Sequence, residues 1–375
     1  MARMTSYDLI ALPAPKPVAG RATEAYDLNT VTAEPFATEV VGRYVSPTRT
    51  RACVWTVEAN RSSYALKVVA LPSSADAYAT SISDRLTQNA ASAVGGFANL
   101  GAFVRAVVWQ RSQVGGSRTL NEFNSLLDTG RPEGDVNPGG NAQCYALVSA
   151  GGMLRAAGSS DAPGGRTQAV RWYLSSTGFR VEALATATQG DSQAFSLNRH
   201  GHAAGWHRRP SSQARAALWR AVHQDAPLAF ADLGTLGGAS SVARCLSDSN
   251  SIVGSSETAA GIEHACQFFH LALHGRTFRR DLDGDANRIS VALGVNGLNQ
   301  VVGWMRAGSG GQQAFFWSAE EGMQPLTARL NEAKPPRGLR LLEATAINEA
   351  GAILCNGTLN RQRQAFLLVP AASRL

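Results

Sequence analysis

The stretch Asp281-Leu-Asp283-Gly-Asp285-Ala-Asn287 sets carboxylates at alternate positions. Calcium loops are built this way, because Ca²⁺ takes several oxygen ligands from one turn. Here Ala286 stands at the sixth position, where such a loop needs Gly, and Ala292 at the twelfth, where it needs an acid. An Asp/Asn/Gly turn is therefore the preferred reading, with calcium on Asp281, Asp283 and Asp285 as the alternative. His200, His202 and His207 form the one local histidine cluster. The first two flank a predicted turn and the third follows a strand, so their spacing opposes a shared zinc ion. No nucleophile elbow, phosphate loop or dinucleotide fingerprint stands out. The Gly-rich stretch Gly95–Gly101 begins on a predicted strand and opens no helix.

Arginine carries the remaining signal. The net charge is +7, and Lys16, Lys67 and Lys334 are the only lysines. Arg49, Arg51, Arg105, Arg166, Arg208, Arg209, Arg215, Arg306, Arg361 and Arg363 fall in equivalent loops of the repeats described next. A ring of such residues would make one face attractive to anions. Glu257 and Glu263 interrupt the ring in one repeat.

The elements that must position these residues repeat along the chain. A third-segment Ala recurs as Ala52, Ala106, Ala169, Ala216, Ala265, Ala314 and Ala365, followed by aromatic or apolar residues. A Gly closes the preceding run at Gly42, Gly95 or Gly96, Gly158, Gly205, Gly254 and Gly303, with Cys355 in the last copy. An aliphatic residue precedes a turn at Leu28, Ile82, Leu147, Leu197, Leu246, Val295 and Ile347. Three places earlier stands a small residue: Ala25, Ala79, Cys144, Ala194, Ala243, Ala292 or Ala344. A repeat of about fifty residues built from short apolar runs broken by Gly, Asn and Ser predicts one four-stranded sheet per copy.

The fold expected is all-β: a seven-bladed β-propeller of four-stranded antiparallel blades forming one domain over residues 1–375. Blades are expected at about 25–75, 76–140, 141–190, 191–238, 239–287, 288–341 and 342–370, the last with 6–13. The final copy lacks its fourth strand, and Tyr7–Leu12 offers an unused one. Its end, Ala11-Leu-Pro13, matches Ala70-Leu-Pro72. Joining the chain ends would close the ring. Small residues fit the crowded axis, and Trp or Phe on third strands fit the wider space between blades.

The residues Asp232-Leu-Gly-Thr-Leu-Gly-Gly238, Ala344-Thr-Ala-Ile-Asn348 and His264-Ala265 resemble the HAF repeats of bacterial probable-extracellular proteins. Leu120–Leu127 and Leu330-Asn-Glu332 resemble the connectors of that family. The resemblance is strongest over 232–269 and 344–368. It implies a propeller-like repeat fold and carries over no catalytic residue.

The chain begins without an apolar run long enough for a signal peptide, and no segment approaches a membrane span. Cys53, Cys144, Cys245, Cys266 and Cys355 lie on different predicted strands without CxxC spacing, so they read as free thiols. Both points favour the cytoplasm, or a particle assembled there. Candidates for a channel-mouth site are Asp76, Gln143, Asp191, Gln193, Arg288, Ser290 and Glu343. The leading function is a non-enzymatic binding or scaffold module, without cofactor, engaging a protein partner through the Arg-rich face. An anionic glycan ligand and a hydrolase or lyase are the alternatives. Nucleic acid is disfavoured, because aromatics do not interleave with the basic loops.

Overall fold

A computed structural model describes residues 5–15, 21–29, 37–59, 64–84, 92–111, 118–122, 140–150, 153–175, 178–184, 186, 190–208, 212–221, 229–271, 275–307, 310–331 and 335–371. Strands are lettered A to D from the axis outward. Blade I is Thr23–Leu28, Ala37–Val45, Thr50–Ala59 and Tyr64–Ala70. Blade II is Ala77–Ile82, Val94–Leu100, Phe103–Arg111 and Arg118–Glu122. Blade III is Ala142–Ala150, Met153–Ala162, Arg166–Ser175 and Gly178–Ala183. Blade IV is Ser192–Leu197, Ala203–His207, Arg215–Arg220 and Ala229–Gly234. Blade V is Gly237–Leu246, Ile252–Thr258, Glu263–Leu271 and Arg276–Asp281. Blade VI is Arg288–Val295, Val301–Ala307, Gln313–Ser318 and Gly322–Pro325, followed by the 3-10 turn Leu326–Arg329. Blade VII is Leu339–Ile347, Ile353–Leu359 and Gln362–Pro370, with Tyr7–Leu12 as strand D. The protein is a seven-bladed β-propeller, closed by its N-terminal strand.

The small residue of each strand A sits fully buried opposite the Gly of strand B. The pairs are Ala25 with Gly42, Ala79 with Gly96, Cys144 with Gly158, Ala194 with Gly205, Ala243 with Gly254 and Ala292 with Gly303. In blade VII Ala344 faces Cys355. Gly96, not Gly95, is thus the repeat glycine of blade II. The ladder slips by one residue just after each of these small residues, leaving Tyr26, Thr80, Tyr145, Phe195, Arg244, Leu293 and Thr345 unpaired on the bulge.

Each gap between blades holds its own apolar core. The strand C aromatics fill them: Trp55, Trp109, Trp172, Trp219, Phe268, Phe315 and Phe366 are all buried. The correspondence between Pro13 and Pro72 is physical. Trp55 donates its indole N–H to the Pro13 carbonyl at 2.8 Å, and Trp109 does the same to Pro72 at 2.8 Å.

Polar side chains stitch neighbouring blades. Thr23, Ser192, Ser241 and Ser290 accept the backbone N–H of Ala365, Ala169, Ala216 and Ala265 at 2.9–3.0 Å. At the A–B turns, Asn198, Asn296 and Asn348 donate to the carbonyls of Ser247, Asn348 and Asn29 in the next blade. The same asparagines cap their own turns, as when Asn198 accepts from His200 and His202. Three residues after Asn198, Ser247, Asn296 and Asn348 the turn takes a left-handed backbone, at Gly201 (φ 80°), Asn250 (φ 64°), Asn299 (φ 57°) and Gly351 (φ 79°).

Candidate functional site

The ring has two ends, and the arginines predicted to share a face lie at the end of the B–C connections. Their environments differ. Arg105 belongs to strand C of blade II rather than to a loop. It is buried and donates to the Gly140 carbonyl at 2.8 Å. Arg208 pairs with Asp191, and Arg363 with Glu24 at 3.0 Å; Arg215 lies 3.7 Å from Asp232. Arg49 donates to the Ser74 carbonyl, and Arg166 opens its strand C half-buried. Arg209 lies outside the described residues. Over blades VI, VII and I, Arg306, Arg337, Arg340 and Arg361 are exposed and Arg51 is half-buried; Arg276, Arg279 and Arg280 on strand D of blade V are exposed as well. Glu257, the predicted break, accepts the N–H groups of Ala239 and Ser240 within its own blade.

The channel-mouth candidates at this end are structural latches. Asp76 and Asp191 accept the N–H of Thr50 and Thr167 across a blade boundary, and Ser290 is one of the hydroxyl staples. Gln143 accepts from the Tyr145 hydroxyl, Gln193 from the Trp206 indole and Glu343 from Asn356. Arg288 clasps Asp283.

The carboxylates of Asp281, Asp283 and Asp285 turn to separate partners. Asp281 faces His264 Nδ1 at 2.8 Å and accepts the Asp283 N–H. Asp283, its side chain buried, takes Arg288 at 2.6 and 3.0 Å. Asp285 caps Asn287. Burial alone would raise the Asp283 pKa, but the Arg288 hydrogen bonds hold it below the ordinary carboxylate value. Added Ca²⁺ should accordingly leave the melting temperature unchanged, whereas Asp283→Ala, which strands Arg288, should lower it. A calcium-dependent rise that Asp283→Ala removes would assign the metal instead. His200 and His202 have ring centroids 6.0 Å apart, while His207 is buried beside Asp232 at 3.3 Å. Among the described residues no group of three His, Cys, Asp or Glu side chains is arranged to hold a metal ion. All five cysteines are free.

The opposite end holds a cavity of about 250 Å³ on the axis. Its inner part is made by the seven bulged residues and its rim by the A–B turns, including Asp84, Arg199, Asp248 and Glu349. Phe195 meets Tyr145 edge-on at 5.3 Å, and the Arg244 guanidinium lies over Phe195 at 4.9 Å. Asp27 accepts from Ser81 Oγ at 3.0 Å, Ile82 N at 2.9 Å and Leu28 N at 2.9 Å. Burial pushes its pKa up to about 6, against the lowering effect of those hydrogen bonds. A carboxyl raised above its unfolded value stabilises the fold below that value, and the contribution is lost as pH rises through about 6. Lowering the pH from 7 to 5 should therefore add about 1 kcal/mol through this one group. Asp27→Asn should lack that increment, and carboxyl NMR should find the group titrating near pH 6; an ordinary value would refute the burial argument.

No family model matches the sequence, and no curated protein matches it. Solved structures do align. Pyrococcus horikoshii acylaminoacyl peptidase aligns with TM-score 0.48 at 9% identity, over 92% of this chain and 51% of that one. The chain thus spans about half the length of that peptidase. Penicillium chrysogenum α-L-arabinanase aligns with TM-score 0.43 at 11% identity, over 98% of both chains. Fructan 1-exohydrolase IIa from Cichorium intybus aligns with TM-score 0.35 at 10% identity, over 97% of this chain and 84% of that one. None of these likenesses informs the chemistry of this chain.

Sequence reasoning missed the axial cavity. Its wall is the residue after each small marker, which is aromatic, hydroxylic, basic or aliphatic by turn and forms no motif. The signal available was positional: the marker occupies the most crowded point of each blade, so its neighbour must face the axis.

Proposed function

We propose that this protein is a non-enzymatic binding or assembly module that engages an acidic protein through the B–C end of blades VI, VII and I. One observation carries the reading: exposed arginines from successive blades converge there. Arg340 lies against Gly311 in the B–C connection of blade VI, and Arg363 bridges from blade VII to Glu24 of blade I. Arg306, Arg337, Arg340 and Arg361 have no acidic partner among the described residues. A basic arc of this kind accelerates encounter with an acidic surface and weakens with salt. The reading retains the HAF-repeat resemblance as its family expectation and the cytoplasm as its compartment. No helix among the described residues is long and apolar enough to cross a membrane.

The test is a capture of partners from the native host with the wild-type chain and two charge-reversed variants. Arg340→Glu with Arg361→Glu should cut the yield of acidic proteins about tenfold at low salt without altering the melting temperature. Arg208→Glu with Arg215→Glu, which alters residues already facing carboxylates, should cost less binding and some stability. Equal losses from the two variants would reduce the effect to net charge. Capture of acidic polysaccharide in place of protein would favour the glycan alternative.

A further inference from the structure

At the other end of the ring, Arg244 presents an unsolved charge. It is the bulged residue of blade V and lines the axial cavity. Its side chain is exposed to solvent along the cavity wall, and the protein crowded around it lowers its pKa. Its one counter-charge is an electrostatic link to Glu263, and no hydrogen bond to it is found among the described residues. A guanidinium that faces a cavity with no carboxylate on its N–H groups is open to a bound anion. The guanidinium carbon lies 4.9 Å from the Phe195 ring centroid, and its planar fork of N–H donors suits a two-oxygen acceptor. Phe195 and Tyr145 offer an apolar wall beside it.

The rim limits what can enter. Asp84, Asp248 and Glu349 surround it, with Arg199 paired to Asp248 at 2.6 Å and Glu349 capping Gly297 at 2.9 Å. Asp27 adds a further carboxyl inside. A multiply charged anion would be repelled by this acidic collar, whereas a single negative charge needs only Arg244. The volume, about 250 Å³, falls just under the roughly 300–1,000 Å³ of drug-sized pockets.

We propose that the axial cavity binds a small monocarboxylate with an apolar body, its carboxylate on Arg244 and its body against Phe195 and Tyr145. Titration calorimetry of the full chain with benzoate and phenylacetate tests this. Both acids should bind saturably, and benzamide, the neutral isostere of benzoate, should bind at least about tenfold more weakly. Arg244→Gln should abolish binding. Arg244→Lys should lose most of it, because a point charge lacks the planar fork. Phe195→Leu should weaken phenylacetate and leave acetate unaffected. If Arg244→Gln melts early, the benzamide comparison on the wild-type chain and the Phe195→Leu variant decide. The proposal fails if neither acid binds the wild-type chain, if benzamide matches benzoate, or if Arg244→Gln binds as well as wild type. Tighter binding of phosphate or citrate than of benzoate would also overturn it.

Discussion

Deleting residues 1–13 should lower the melting temperature by roughly 6 °C. The deletion removes the strand Tyr7–Leu12, whose six residues pair in continuous register with Pro370 back to Ala365. Tyr7 and Leu12 are buried in two different inter-blade cores, against blade VI and blade I respectively. Each such side chain contributes about 2 kcal/mol, and Leu9 and Ile10 add partial burial. The loss also strands the Trp55 indole, which donates to Pro13, and the Thr23 hydroxyl, which donates to Leu12. A total of about 5 kcal/mol corresponds to the stated shift for a chain of this size. The exposed edge of Gln362–Pro370 should further promote association between molecules. Adding a peptide of residues 5–15 in trans should restore part of the lost stability by supplying the missing strand. Calorimetric scans of the full and truncated chains decide the matter, and identical melting temperatures would sink closure as a stabilising device.

The second large effect is expected from a single methyl group. A Cβ built on Gly254 would stand 1.9 Å from the Val242 carbonyl oxygen, and one on Gly205 1.9 Å from that of Gln193. The same contact recurs at Gly42, Gly96, Gly158 and Gly303, at 1.9–2.1 Å. The bulge next to each small residue brings the preceding carbonyl of strand A over strand B. Only hydrogen fits beneath it, and because the obstacle is backbone no side chain can move aside. Gly254→Ala should thus cost about 3–5 kcal/mol, at the upper end for point substitutions. Gly284→Ala, with open space around it and no positive φ, should stay within about 0.5 kcal/mol. Urea unfolding of the two variants checks the contrast, and equal midpoints would refute it. Blade VII carries Cys355 in place of the repeat glycine. Its strand A carries a second slip, between Leu341 and Glu343, opposite Gly357 and Asn356. The glycine under the carbonyl there is Gly357, whose Cβ would stand 2.1 Å from Arg340 O.

What a residue does within its own blade was legible in the sequence. The small residue, the glycine and the aliphatic residue before the turn mark local necessities: a crowded axis, a carbonyl over strand B and an inter-blade core. Each blade imposes them again, so they recur as a beat and can be counted. The closing strand was legible for the same reason, since Leu12-Pro13 must do for Trp55 what Leu71-Pro72 does for Trp109.

What residues do between blades was decided by the tertiary structure alone. Arg105 reads as a loop arginine until the ring sets the Gly140 carbonyl beside it. Arg363 reads as unpaired until closure places Glu24, 339 positions earlier, within 3.0 Å. The Asp281–Asp285 run reads as a turn with calcium as the alternative, and only the fold shows its carboxylates directed to His264, Arg288 and the backbone. The axial cavity gathers one bulged residue from each of seven strands about fifty residues apart. Closing the ring requires only that each such residue face the axis, so its chemistry is free to vary and no motif records it.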